Sequence, residues 1–157
     1  MSPRIRRAES TLTQVVPAPP AEVRAFYRDL SRLGEVHPLI VGVEQLPDTE
    51  EHGVRSSNYR VTDRIPFGPW SYRITYRVRS RTAEHGDLLV DAYQFPRIHV
   101  QTRASFTEHT SGTTVVEQLR LTAPWPLLST VRSLGVRAHV TMLDNLRKRF
   151  KPTGADI

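Results

Sequence analysis

Six successive segments between Pro38 and Pro124 alternate apolar with polar side chains, which is the two-residue period of a β-strand with one buried face. They are Leu39–Leu46, Val54–Ile65, Trp70–Arg81, Asp87–Phe95, Ile98–Thr107 and Thr113–Ala123. Short turn sequences such as Pro66-Phe67-Gly68-Pro69 and Ser111-Gly112 separate them. Because connections this short join neighbouring strands that run in opposite directions, the sequence predicts an antiparallel meander.

The flanking segments complete the fold prediction. Thr11–Val16 predicts a first strand, and helical spacing after Pro20 predicts a short helix, followed by a second helix or turn over 31–36. Leu127–Arg149 contains no proline and predicts one long C-terminal helix. We therefore expect an α+β fold in which a curved seven-stranded antiparallel sheet wraps around this helix in a helix-grip arrangement. A single helix cannot fill the concave face of so wide a sheet, so the pattern also predicts a cavity between them.

The length and the cysteine count limit the class of protein. The chain has 157 residues, the size of one domain, and we expect residues 9–150 to form it between a basic tail at 1–8 and a second tail at 151–157. The absence of cysteine excludes disulfides, thiolate nucleophiles and cysteine-ligated metals. The sequence has no metal-ligand spacing, phosphate-binding glycine loop or serine-hydrolase motif, so we expect neither a metal nor a cofactor.

The basic charge of the chain does not indicate a nucleic-acid partner. The net charge is +6, but 20 of the 22 basic residues are arginines, and the two clusters lie at the ends, over 4–7 and 147–151. These ends leave open a weak contact with anionic membranes. The sequence contains no apolar run long enough for a signal peptide or a membrane span, which predicts a cytoplasmic protein. The oligomeric state, including a homodimer, stays open.

Polar and aromatic side chains on the predicted inner faces are the candidate ligand-binding residues. On the strands they are Tyr59, Trp70, Tyr72, Tyr76, Gln94, Thr102 and Glu117, and on the apolar stripe of the long helix they are Gly135, His139 and Met142. A mainly apolar lining with a few polar groups fits a small hydrophobic ligand. Aromatic residues at these positions are also common in a plain core, and Phe67, Trp70 and Trp125 fit the rim of an entrance.

Glu117 and His139 are the candidates for acid–base chemistry. Glu117 is in phase with Val115 and Leu119, so strand alternation buries a carboxylate that must then be paired or protonated. His139 lies in the middle of the helix stripe, where an imidazole can bind a ligand carbonyl or transfer a proton near neutral pH. A β-bulge that turns Glu117 to solvent, or a core histidine bonded to a tyrosine, remains the alternative. Gly135, one turn before His139, predicts the close approach of another group, such as the side chain of Trp70.

Three segments resemble the START-like superfamily, also called SRPBCC. They are the strand-to-helix link Val16-Pro17-Ala18-Pro19-Pro20-Ala21-Glu22-Val23, the junction Glu35-Val36-His37-Pro38, and Thr113-Thr114-Val115-Val116 with Pro124 and the terminal helix. The resemblance covers nearly the whole chain and departs at Phe26 and Val36, where relatives often carry tryptophan. The superfamily includes the birch-pollen allergen, lipid-transfer domains, polyketide cyclases and ubiquinone-binding proteins.

The resemblance implies a pocket rather than a reaction, and it carries no catalytic set onto these positions. Three functions follow from it. The first is binding of a lipid, polyketide or similar hydrophobic metabolite between the sheet and the terminal helix. The second is a polyketide aromatase/cyclase or dehydratase that moves protons with Glu117 and His139. The third is a peripheral module that binds a quinone or lipid at a membrane.

Overall fold

The computed structural model describes residues 4–151, and the expected fold is confirmed. The seven strands are β1 Ile5–Val16, β2 Ile40–Glu51, β3 Val54–Phe67, β4 Trp70–Thr82, β5 Leu88–Gln94, β6 Ile98–His109 and β7 Gly112–Pro124. The helices are α1 Pro20–Arg28, α2 Leu30–Leu33 and α3 Trp125–Phe150. Residues 1–3 and 152–157, which were expected in the two tails, lie outside the described residues.

The strands form one antiparallel sheet in the order β1-β7-β6-β5-β4-β3-β2. The first strand begins earlier than the predicted Thr11, because Ile5 pairs with Pro124 and the ladder continues to Val16 opposite Thr113. Residues 5–8, assigned to a basic tail from the sequence, are therefore part of β1. Their arginines had hidden the strand, since this edge strand alternates exposed with only partly buried residues before Val16.

The core lies between the concave face of the sheet and the three helices. Phe26 on α1, Met142, Leu143 and Leu146 on α3, and Val61 on β3 are each at most 2% exposed. A single stripe of apolar side chains on α3 accounts for the burial of Met142 and Leu146. Leu143 lies outside that stripe and is buried as well, because the buried arc of a helix packed in a curved sheet is wider than one row of side chains. A side-chain bond from Asn145 Nδ2 to the Val36 carbonyl (2.9 Å) fixes α3 against the segment after α2.

Gly112 is required where β7 begins beside the end of β1. Its φ is +139°, and a Cβ there would lie 2.1 Å from the Val16 carbonyl oxygen. Only glycine tolerates both the backbone conformation and this approach. The adjacent Thr113 donates a hydrogen bond from Oγ1 to the Ala18 carbonyl (2.6 Å), which ties the start of β7 to the link before α1.

Candidate functional site

A cavity of about 350 Å³ lies between α3 and the concave face of the sheet. Its walls come from β3, β4, β5, β6 and β7, from the first half of α3 and from the segment after α2. The apolar part of its lining includes Leu39, Ile65, Ile74, Ala92, Ile98, Val100, Leu121, Leu127, Val131, Leu134 and Ala138. Polar side chains enter from His37, Asp63, Tyr76, Gln94 and His139.

A second hollow, of about 390 Å³, lies on the opposite face of the sheet. Charged and polar side chains dominate its lining, among them Glu9, Arg81, Asp91, Arg103 and Arg120. Such a surface is well solvated without a ligand. We place the candidate site in the concave cavity, because apolar walls with a few converging polar groups are what a small-molecule site requires.

Glu117 joins three elements behind the cavity wall. It is 0% exposed on β7, as strand alternation predicts. Tyr27 on α1 donates its hydroxyl proton to Glu117 Oε2. His139 on α3 approaches the same carboxylate through Nδ1, at 3.1 Å from Oε1 and 3.2 Å from Oε2. The buried carboxylate is thus fully paired, which is the condition for a glutamate to be retained inside a core.

The pairing sets the proton affinity of His139. Burial alone would lower the pKa of the imidazole, but the negative charge and hydrogen bond of Glu117, with a smaller contribution from Asp63, outweigh it and raise the pKa above its usual 6.5. The pKa of Tyr27 is also raised, by burial first and by Glu117 second, so its hydroxyl remains a donor. The pairing with Glu117 therefore favours the positively charged form of His139, whose side chain is 17% exposed and lines the cavity.

Asp63 and Tyr76 form a second polar pair in the cavity, and sequence reasoning did not identify Asp63. The Tyr76 hydroxyl donates to Asp63 Oδ1 at 3.0 Å. Burial raises the pKa of Asp63 to about 6, although the bond from Tyr76 and the charge of His139 oppose the change. The signal was present in the sequence, since Asp63 is in phase with the buried Val61 and Ile65 on β3.

His37, which the sequence marks only as part of the family-like junction Glu35-Val36-His37-Pro38, is a second histidine at the cavity. The Leu39 backbone N–H donates to His37 Nδ1 at 3.2 Å, which leaves Nε2 as the protonated nitrogen of a neutral ring. Burial, with the nearby charge of His139, lowers the pKa of His37 to about 3. The two imidazole rings meet edge to face, with centroids 5.8 Å apart. His37 therefore remains a neutral hydrogen-bond donor beside the charged His139.

The structure places half of the predicted ligand-binding residues at the cavity. Those that line it are Tyr72, Tyr76, Gln94, Gly135 and His139. Those that lie elsewhere are Tyr59, Trp70, Thr102, Glu117 and Met142. Tyr59, Thr102 and Met142 are buried among core side chains, and Glu117 acts through His139.

Two of the corrections have a clear geometric reason. Trp70 is in phase with the inner face but 73% exposed, because β4 extends beyond the end of β5 and its first residues have no neighbouring strand on that side among the described residues. Gly135 does face a close neighbour, but this is Leu121 rather than Trp70: a Cβ on Gly135 would lie 3.3 Å from Leu121 Cδ2. The glycine on α3 thus allows the helix to approach β7 beside the cavity.

The raised pKa of Asp63 predicts a pH-dependent stability. The pKa of Asp63 is about 6 in the folded protein and 3.8 in the unfolded chain. Burial of the charged carboxylate therefore costs no stability below pH 3.8, an increasing amount between pH 3.8 and about 6, and its full amount above pH 6. Asp63→Asn removes this cost and should raise the free energy of unfolding at pH 8 by up to about 3 kcal/mol. Urea titrations from pH 4 to pH 8 should show the gain growing up to about pH 6 and staying constant above it. The control Asp144→Asn, at a half-exposed position where Asp144 pairs with Lys148, should change stability by less than about 0.5 kcal/mol throughout, and an equal gain at pH 4 and pH 8 for Asp63→Asn would contradict the assignment.

Metal-binding clusters and membrane-spanning helices are both absent from residues 4–151. No cluster of three or more histidine, aspartate or glutamate side chains there is arranged to hold a metal ion. No helix in the same range has the length and apolarity needed to cross a bilayer.

A curved antiparallel sheet that grips a C-terminal helix around a cavity defines a START-like domain. Comparison with known proteins agrees with this class. The chain belongs to the family described as polyketide cyclase / dehydrase and lipid transport, whose model matches residues 7–151. No curated protein matches the sequence.

Solved structures share the fold at low sequence identity. The structure of TTHA0849 from Thermus thermophilus aligns with a TM-score of 0.70 at 19% identity, over 91% of this chain and 97% of that one. The Zhui aromatase/cyclase from Streptomyces sp. R1128 aligns with a TM-score of 0.67 at 17% identity, over 96% and 99%. A START superfamily protein from Mycobacterium smegmatis aligns with a TM-score of 0.63 at 14% identity, over 92% and 97%. At these identities the similarity shows the fold alone.

Proposed function

We propose that the cavity binds a small, mainly apolar molecule that carries an oxygen group. The observation that carries the proposal is the distribution of polarity: an apolar chamber with His37, Asp63, Tyr76 and His139 in its lining. Its volume of about 350 Å³ falls at the lower end of the range of roughly 300–1,000 Å³ found for small-molecule sites. Removal of apolar ligand surface from water would supply most of the affinity.

The protonation states of these groups favour a ligand oxygen that accepts hydrogen bonds. The raised pKa of His139 favours a cationic donor and the lowered pKa of His37 a neutral one, whereas Asp63 can accept a ligand hydroxyl proton when it is ionised. A carbonyl, enol or phenol oxygen matches this set. An aliphatic hydrocarbon would leave the imidazolium of His139 without a ligand partner, which makes a purely apolar ligand a poorer fit.

Acid–base catalysis on a β-ketone chain is the second candidate function. It is supported by two titratable groups at one cavity whose pKa values are both raised, that of Asp63 to about 6 and that of His139 above its usual 6.5. In this function His139 would protonate a carbonyl oxygen, Asp63 would accept a proton from the adjacent carbon, and Glu117 would position His139. Turnover of a poly-β-ketone analogue that persists in the variant combining Glu117→Gln with His139→Ala would exclude that assignment.

The binding proposal predicts that the protein distinguishes 2-naphthol from 2-methylnaphthalene. The two probes have nearly the same shape, but only 2-naphthol has a hydroxyl group for the polar side chains. Because a hydrogen bond to a charged group contributes about 1.5–3 kcal/mol, we expect 2-naphthol to bind roughly 10- to 100-fold more tightly. Calorimetric titration, supported by the shift of the melting temperature with each probe, measures the ratio.

The variant that tests this explanation is His37→Phe, which removes one neutral donor while keeping an aromatic ring of similar size. It should reduce the ratio between the probes and leave binding of 2-methylnaphthalene nearly unchanged. Equal affinity of the wild-type protein for both probes would contradict the oxygen-binding role of the polar side chains. Failure of both to bind would contradict the cavity as a site for apolar molecules of this size.

A further inference from the structure

Large apolar side chains are exposed together at one end of the molecule. We call this set the aromatic end: Phe67 (66% exposed), Trp70 (73%), Tyr72 (50%), Phe95 (91%), Trp125 (62%) and Leu127 (36%). Among residues 4–151, only four other large hydrophobic side chains are comparably exposed, namely Val41, Val54, Tyr93 and Val140. Clustered exposure of this kind is costly in water and marks an interaction surface.

The sheet topology brings these residues together from three separate connections. They come from the β3–β4 turn, the β5–β6 turn and the junction of β7 with α3. His99 pairs with Thr122, so the beginning of β6 and the end of β7 lie side by side. Strand β4 pairs with β5 from Thr82 opposite Leu88 to Arg77 opposite Tyr93. The first residues of β4 therefore extend beyond the β5–β6 turn, at the same end of the strands.

The charge of these three connections, of the adjoining start of β1 and of the first turns of α3 is entirely positive. Residues 4–8, 64–73, 94–98 and 121–135 contain seven arginines and no aspartate or glutamate. The arginines are Arg4, Arg6, Arg7, Arg64, Arg73, Arg97 and Arg132, all of them exposed. Only Arg7 in this described set forms an ion pair, a long one of 3.9 Å with Glu9. The aromatic end therefore combines apolar rings with arginines, of which only Arg7 has an acidic partner among the described residues.

The aromatic end is continuous with the cavity. Tyr72, Phe95 and Leu127 are exposed to solvent and also line the cavity wall. The cavity is therefore bounded at this end by the exposed apolar side chains. A surface that covered them would lie directly against the cavity.

We propose that the aromatic end docks on an anionic lipid bilayer and presents the cavity to the lipid. Tryptophan and tyrosine rings favour the boundary between headgroups and acyl chains, and arginines bind the phosphates above it. An acidic protein surface would satisfy the arginines, but its carboxylates would not favour contact with the exposed apolar rings. A bilayer interface takes both apolar depth and positive charge, and it therefore matches the observed combination better. The docking surface does not depend on which molecule fills the cavity.

Both tryptophans of the chain, Trp70 and Trp125, lie in the aromatic end, so intrinsic fluorescence reports on it directly. The experiment mixes the full-length protein at low salt with vesicles of phosphatidylcholine containing 30% phosphatidylglycerol, or of phosphatidylcholine alone. We expect a blue shift, and quenching by lipids brominated on the acyl chain, with the anionic vesicles. Cosedimentation measures the partition coefficient, which should fall with added salt.

Two matched pairs of variants separate this surface from general attraction by the net charge. Phe67→Ser with Phe95→Ser should lower the partition coefficient at least tenfold, whereas Val41→Ser with Val54→Ser, also exposed, should leave it within twofold. Arg73→Glu should lower it more than Arg81→Glu does, since the two lie on β4 at its opposite ends. Unchanged melting temperatures establish that each variant is folded.

Three results would overturn the proposal. One is the absence of binding and blue shift with anionic vesicles. Another is binding that both members of a pair reduce equally, which would mean that the net charge of the chain is sufficient. The third is a dimer in sedimentation velocity that the Phe67→Ser and Phe95→Ser changes dissociate, which would assign the aromatic end to a second copy of this chain.

Discussion

Replacement of Glu117 by alanine is expected to lower the free energy of unfolding by about 3–5 kcal/mol at pH 7, the loss typical when one member of a buried ion pair is removed. The reason is that Glu117 accepts hydrogen bonds from two elements. Without it, the hydroxyl of Tyr27 and Nδ1 of His139 lose their acceptor at a position where the glutamate is 0% exposed. Urea denaturation monitored by circular dichroism measures the change.

Glu117→Gln provides the test of mechanism, because the amide keeps an acceptor oxygen but removes the charge. We expect a smaller loss of stability and a lower pKa for His139. The sign follows from the raised pKa of the folded state: the ion pair stabilises fully below the unfolded pKa of 6.5, and its contribution disappears as the pH rises through the folded pKa. The difference between wild type and Glu117→Gln should therefore shrink at alkaline pH.

The matched control for Glu117 is Glu44 on β2. Glu44 also pairs with a cation, Arg60 at 2.9 Å, but its side chain is 61% exposed. Glu44→Ala should cost less than about 1 kcal/mol, since exposed ion pairs contribute little. A loss for Glu117→Ala as small as that for Glu44→Ala would contradict the role of Glu117 as a buried junction of α1, β7 and α3.

Ala92→Phe is expected to weaken 2-naphthol binding at least 100-fold. Ala92 lies on β5, paired with Val78 on one side and Val100 on the other, and its methyl group lines the cavity. A phenyl ring at this position extends into the volume that the ligand requires. Because it enters open space rather than a packed core, we expect a stability change smaller than the roughly 1–3 kcal/mol typical of overpacking.

Thr75→Phe is the control for this change, since Thr75 lies exposed on the convex face of β4. It adds a similar ring to the same sheet and should leave the dissociation constant within about twofold. Titration calorimetry on the two variants and the wild-type protein gives the comparison. Normal binding by Ala92→Phe, with its fold intact, would place the ligand outside the cavity.

The alternation of apolar and polar residues was sufficient to predict most of the fold and the burial of Glu117. The number of strands, their antiparallel order and the long terminal helix depend on local periodicity, which a single sequence displays directly. The start of β1 was missed because Arg6, Arg7 and Glu9 resemble a solvated tail when the partner strand is unknown. The pairing of this edge strand with β7 is a property of residues more than 100 positions apart for most of its length, from Ile5 opposite Pro124 to Gln14 opposite Val115.

The partners of the buried polar groups could not be read from the sequence. Tyr27 lies 90 positions from the glutamate it contacts, and nothing local distinguishes it from any other tyrosine on an apolar helix face. Asp63 was accessible in principle, because its phase on β3 is the same kind of signal that identified Glu117. For Trp70 the alternation correctly predicts the inner face of the sheet but not the exposure of the side chain. Burial also depends on where the neighbouring strand ends, which the sequence of β4 does not show.

The proposed function requires a ligand to occupy the space between α3 and the sheet, with its oxygen at the polar side chains. Intermolecular nuclear Overhauser effects between bound 2-naphthol and methyl-labelled protein test it most directly. We predict contacts from the ring protons to the methyl groups of Ala92, Val100 and Leu121, with the protons beside the hydroxyl nearest to His139. Contacts confined to methyl groups outside the cavity, or saturable binding with no interior contacts, would contradict it.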